Sequence, residues 1–123
     1  MSDAPTVLVV DDEPQLLRLL IRVFEKRGFR VLSAPDAESA AQLFEQHHVE
    51  LVAALLDVVI PPARVEPLLS RMLALRDDVG IVLTSGDALP SLLQERLGAL
   101  GGVFLRKPFS PGAAHAALLE VMA

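Results

Sequence analysis

Short apolar runs and longer segments of helical periodicity alternate five times along this chain, and no other feature constrains its fold as tightly. Strands separated by helices cannot close as hairpins. They pair in parallel, with each helix crossing back over the sheet. The runs are "TVLVV" (6–10), "RVLSA" (30–34), "LVAALLD" (51–57), "GIVLTSG" (80–86) and the strand within "GGVFLRKP" (101–108). The third is apolar until its closing acid, the pattern of a strand covered on both faces. Right-handed crossovers leave few topologies for five such units. The expectation is an α/β doubly wound parallel sheet in the order 2-1-3-4-5.

The intervening segments carry their own start and stop signals. Pro14 suits a first helical turn with Asp12 or Glu13 as cap. Leu16, Leu17, Leu20, Ile21 and Phe24 then form an apolar stripe that ends before Gly28. Asp36 is expected to cap a second helix with Ala37, Ala40, Ala41 and Phe44 inward. "VVIPPARV" (58–65) reads as a loop, followed by a helix burying Val65, Leu68, Leu69, Met72 and Leu73. Leu89, Leu92, Leu93 and Leu97 mark a short fourth helix. Ser110 and Pro111 open a fifth, with Ala114, Ala117, Leu118 and Val121 inside. His47 and His48 read as a solvated helix end, His115 as a surface residue, and "RDDV" (76–79) as a loop acid pair without a partner.

With 52% apolar and 22% charged residues, the 123 residues can fill one core, so a single domain over 1–123 is expected. The absence of cysteine excludes disulfides and thiolate metal sites and suits the cytoplasm. A net charge of -5, no basic cluster and no Tyr or Trp argue against direct nucleic-acid binding. No apolar run reaches the roughly 18 residues of a membrane span, and "MSDAPT" has no positive leader segment. Neither a Gly-x-Gly-x-x-Gly loop nor a Gly-Lys-Ser/Thr phosphate loop is present.

The chemistry collects at the strand ends. Asp11 and Asp12 end the first run, Asp57 the third, Thr84 and Ser85 the fourth, and Lys107 follows the fifth. In a parallel sheet all these ends share one edge, where ligands gather beside the switch point. Singly, the acids read as helix-start residues, Ser-Gly as a turn and the lysine as a solvated cation. Jointly they say more. Three clustered carboxylates need a compensating cation, and an all-oxygen donor set favours Mg²⁺, which leaves room for phosphate oxygens. A carboxylate beside such a cation can attack a phosphoryl group to give an acyl phosphate. An ammonium and a hydroxyl would hold the phosphate oxygens. The cluster reads as a phospho-aspartate site.

The ordered fragments "VVDDE", "LLDVVIPP", "VLTSG" and "FLRKPF" resemble the receiver domain of two-component response regulators, over Val7 to about Val121. The resemblance implies a flavodoxin-like (βα)5 fold and a phosphorelay signalling protein with no enzymatic turnover beyond its own phosphorylation and dephosphorylation. It assigns Asp57 as phospho-acceptor, Asp12 as direct ligand of Mg²⁺ (or Mn²⁺), Asp11 as ligand through water, and the Val59 carbonyl as a further metal contact. Ser85 rather than Thr84 matches the switch hydroxyl, since Gly86 follows it. Lys107 matches the phosphate-pairing lysine, and the Lys107–Pro108 peptide is expected to be cis. Phe104 matches the aromatic that changes rotamer on activation, reshaping the surface of the fourth helix, fifth strand and fifth helix. The implied phosphodonor is a histidine kinase or histidine phosphotransfer protein, docking near Pro14, Gln15 and Arg18.

Several positions depart from the family pattern. Val65 stands where a glycine is usual, so the loop around Pro61 and Pro62 is expected to be stiffer or differently shaped. Gly80 replaces a common proline, and Phe104 lacks a tyrosine's hydroxyl. Val59 and Asp87 flank the pocket and should influence phosphate lifetime. Two other readings compete: a receiver-like interaction module that no longer uses phosphorylation, and a small Mg²⁺-dependent phosphatase. A dehalogenase-type phosphatase would need Asp-x-Asp and a cap, whereas here the acids are adjacent. The downstream partner is not indicated. "MSDAPT" reads as a natural N-terminus and favours a regulator's first domain, whereas Thr-Ser-Gly is similar to receivers fused to histidine kinases.

Overall fold

The five apolar runs pair side by side as parallel strands in the computed structural model, which describes residues 4–60 and 63–122. They are β1 (Thr6–Val10), β2 (Arg30–Ala34), β3 (Leu51–Asp57), β4 (Gly80–Ser85) and β5 (Val103–Arg106), in the spatial order β2-β1-β3-β4-β5. The helices between them are α1 (Pro14–Lys26), α2 (Ala37–His47), α3 (Val65–Leu75), α4 (Ser91–Ala99) and α5 (Pro111–Met122). Side chains alternate across each strand. Val7, Val9, Ala53, Leu55 and Val82 therefore pack with Phe24 of α1 and Leu118 of α5. Leu8, Val10, Ala54, Leu56 and Leu83 pack on the other face, against α2, α3 and α4. Each large aliphatic buried in these two layers contributes about 1.5–3 kcal/mol. None of the described helices is long and apolar enough to cross a membrane. Met1–Asp3, where the natural-N-terminus expectation falls, and Pro61 and Pro62 lie outside the described residues.

Several local expectations change once the chain is folded. Glu13 occupies the N-cap of α1, yet its side chain makes no capping bond. Asp11 instead accepts from the Glu13 amide at 2.8 Å. Asp36 and Ser110 cap as expected, accepting from the amides of Ser39 at 2.8 Å and Ala113 at 3.0 Å. Within the stretch expected to be a loop, Val59–Ile60 and Ala63–Arg64 form a short antiparallel ribbon. Ile60 within it and Val65 just after it are wholly buried. Leu89, Leu93 and Leu97 pack inward, but Leu92 is 81% exposed. Gly80 is required by close packing, since a Cβ there would stand 2.5 Å from the Val121 carbonyl oxygen at the end of α5.

The residues read as bystanders have partners. Arg76 bonds Asp78 at 2.7 Å and also donates to the backbone carbonyls of His48, at 2.7 Å, and Leu51. His47 bonds Glu50, and His48 bonds the Glu45 carbonyl. His115 accepts from the Arg27 guanidinium at 3.1 Å and stands edge-on to Phe29. Burial, with the Arg27 charge, lowers its pKa, which keeps it the acceptor in that pair.

Candidate functional site

Asp11 continues the side of β1 that carries Val7 and Val9, and Asp57 the side of β3 that carries Ala53 and Leu55. Both carboxylates thus emerge on the α1–α5 face of the sheet's carboxyl edge, and both are buried. Asp12, the next residue, is exposed. One oxygen from each of Asp11, Asp12 and Asp57 can be chosen so that all three lie within 4.8 Å of one another. Lys107, just past β5, donates through Nζ to Asp11 Oδ2 at 2.8 Å and to Asp57 Oδ2 at 3.0 Å. The other oxygen of each buried acid takes a backbone amide, Glu13 on Asp11 at 2.8 Å and Val59 on Asp57 at 3.1 Å.

Three acids against one ammonium leave the cluster net negative. Burial raises the Asp57 pKa above its ordinary value. The Lys107 hydrogen bond, the Val59 amide and the Lys107 charge only partly offset this, and the Asp11 charge adds to the rise. For Lys107, burial alone would lower the pKa, but the hydrogen bonds and charges of Asp11 and Asp57 outweigh it and hold the ammonium above its usual value. The donor set is all oxygen, and Asp12 opens it to solvent. A hard divalent cation fits such a set.

Ser85 falls on the opposite face from Asp57, the face of Leu83, and is buried. Its Oγ accepts from the Asp87 amide at 3.1 Å, and its carbonyl takes the Lys107 amide at 2.8 Å. Phe104, register partner of Leu83, packs half-buried against that same layer. The Lys107–Pro108 peptide is cis. The Val59 side chain is 55% exposed at the rim. A cleft lined by Glu13, Leu16, Lys107, Pro108 and Phe109 opens beside the ammonium. Pro14, Gln15 and Arg18 are all exposed on the adjoining turns of α1.

One residue carried more than sequence reasoning gave it. In the sequence Thr84 ends the fourth strand beside Ser85, and the family resemblance gives the switch role to Ser85. Thr84 is 0% exposed, and its Oγ1 has no hydrogen-bond partner. Successive residues of a strand face opposite sides, so Thr84 and Ser85 cannot serve the same neighbours. That alternation was the available signal.

Residues 7–119 match the family model described as "Response regulator receiver domain". The chain is 38% identical over 118 residues to the transcriptional regulatory protein AruR of Pseudomonas aeruginosa, covering 90% of this chain and 46% of that protein. It is 31% identical over 106 residues to the response regulator GtcR of Aneurinibacillus migulanus, covering 86% and 43% respectively. The chain thus spans less than half the length of these relatives. A solved response regulator receiver domain from Clostridium thermocellum superposes with a TM-score of 0.86 at 18% identity, over 95% of this chain and 93% of that one. At that identity the likeness speaks to the fold.

Proposed function

The chain belongs to the response regulator receiver domain family, and we propose that Asp57 is its phosphoryl acceptor and that Asp11, Asp12, Asp57 and the Val59 carbonyl hold a Mg²⁺ or Mn²⁺ ion. The observation that carries this reading is the Lys107 ammonium bridging two buried carboxylates beside a third, exposed one. The donor would be a phosphohistidine on a histidine kinase or phosphotransfer protein, docking on the cleft and on Pro14, Gln15 and Arg18. An Asp57 oxygen attacks phosphorus, forming the O–P bond as the N–P bond breaks, and the imidazole leaves with the electron pair. The bound cation supplies charge neutralisation among the carboxylates and the incoming oxygens. Lys107 presents its ammonium donors to the phosphoryl oxygens. Ser85 Oγ already accepts from Asp87, so its O–H remains free to donate to the phosphoryl group. Phe104 lies on the Ser85 side of the sheet and carries the displacement to the surface of α4, β5 and α5. Val59 and Asp87 border the route by which water would reach the acyl phosphate. No further enzymatic turnover is expected, and a cytoplasmic location suits these partners.

Intact mass after incubation with acetyl phosphate and Mg²⁺ tests the assignment. Wild type should gain one phosphoryl group, and Asp57→Asn or chelator should abolish the gain. An unchanged mass in wild type, with rapid hydrolysis excluded by quenching, would favour an interaction module that no longer uses phosphorylation. Continued turnover of a small phosphate ester would favour the phosphatase reading.

A further inference from the structure

Lys107 reaches its carboxylates by crossing a strand. Its backbone stands at the end of β5, while its ammonium bonds Asp57 on β3 and Asp11 beyond β1, and β4 lies between β5 and β3. On that face, at the level of Asp57, β4 presents Thr84. The two are register partners, and Thr84 alternates with Val82, which packs in the layer of Ala53 and Leu55. The Thr84 hydroxyl is therefore buried beneath the lysine's path, without a partner. An unpaired buried hydroxyl is costly, and a valine of the same shape would avoid the cost. An ammonium has three N–H donors, and two of them are engaged by the carboxylates.

We propose that Thr84 is the acceptor to which Lys107 withdraws when a divalent cation takes over the carboxylates, so that Thr84 sets how readily the site takes up the cation. Thr84 is a positioning residue that acts through Lys107, and the assignment rests on the metal-site reading above. An ammonium and a divalent cation repel each other strongly when they share the same carboxylate oxygens. Withdrawal along the lysine's own stem, toward β5, carries Nζ over β4 and the Thr84 hydroxyl. Without that hydroxyl the displaced ammonium keeps a partly buried position with fewer acceptors, and the metal binds less well.

Mg²⁺ titrated without any phosphodonor into wild type, Thr84→Val and Thr84→Ser reads this out through the amide resonances of residues 10–13 and 57–59. Thr84→Val should bind Mg²⁺ at least about tenfold more weakly, as expected for one lost hydrogen bond to a charged group. Thr84→Ser should stay within about twofold of wild type, since it keeps the hydroxyl. In a Lys107→Met background, Thr84→Val should have no further effect. Equal Mg²⁺ affinity in wild type and a Thr84→Val protein shown by urea unfolding to be folded would overturn the proposal. A weakening that persists without Lys107 would also overturn it, because Thr84 would then not act through the ammonium. Absence of Mg²⁺ binding in wild type would overturn the metal reading itself, and this assignment with it.

Discussion

At the amino edge of the sheet Arg76 is surrounded by acceptors: the carbonyls of His48 and Leu51 and the carboxylate of Asp78. Glu50 there takes both Arg30 and His47. At the carboxyl edge Lys107 is outnumbered by three carboxylates, and Thr84 Oγ1 is left without a partner. Among the described residues, the first edge leaves no buried side-chain polar atom without a partner. The other keeps negative charge and an unused hydroxyl that the fold alone does not satisfy. Natural interiors pair their polar groups, so the places where pairing stops short are the places to look for a ligand.

Breaking each edge in turn sharpens that contrast. Arg76→Met should have the largest effect, a loss of about 3 kcal/mol in urea unfolding, because the carbonyls of His48, Val49 and Leu51 lose a charged donor. Saturating Mg²⁺ should not restore it. Lys107→Met should lose about 2 kcal/mol at neutral pH by leaving buried carboxylates without their cation, and Mg²⁺ should recover most of the loss. Equal repair of both variants by Mg²⁺ would erase the distinction between the edges.

Asp57→Asn should gain stability, on the order of 1 kcal/mol near neutral pH. The sign follows from burial, which holds the Asp57 carboxyl above its ordinary value of 3.8. The folded protein then keeps that proton at pH values where the unfolded chain has released it. The stabilising contribution is full below 3.8 and is lost as pH rises through the folded value. The advantage of asparagine should therefore grow as pH rises through that window and be absent at its acid end, as unfolding midpoints at a series of pH values would show. Asp78→Ala should be the smallest change, with no resolvable shift in midpoint, because the Asp78 side chain is largely in solvent.

Much of this was legible in the sequence because β strands and helices have different apolar periods. "TVLVV", "RVLSA" and "LVAALLD" coincide with β1, β2 and β3. Parallel pairing then placed Asp11, Asp57, Ser85 and Lys107 at one edge without further assumption. The misses have physical reasons. Leu92 and Leu93 are adjacent on a nine-residue helix and point about 100° apart, and here the buried stripe takes Leu93 and Leu97 and leaves Leu92 in solvent. The ribbon of Val59–Ile60 and Ala63–Arg64 and the buried Val65 depend on what lies beneath them, and local propensity is silent about that. Arg76 binds carbonyls 25 and 28 residues away, beyond the reach of any local pattern.

The chain on the two sides of Asp57 differs in how firmly it is stitched. Val58 donates to the Thr84 carbonyl at 2.9 Å, Val65 to the Val58 carbonyl at 2.9 Å, and Val59 and Ile60 pair with Arg64 and Ala63. Beyond Ser85, by contrast, Gly86, Asp87 and Ala88 lie exposed, anchored through the Asp87 amide on Ser85 Oγ. Two springs in series share one load, and the softer takes nearly all of the extension. A push delivered at Asp57 is therefore expected to leave the molecule along the β4–α4 segment, with residues 58–60 and 63–65 as the firmer side.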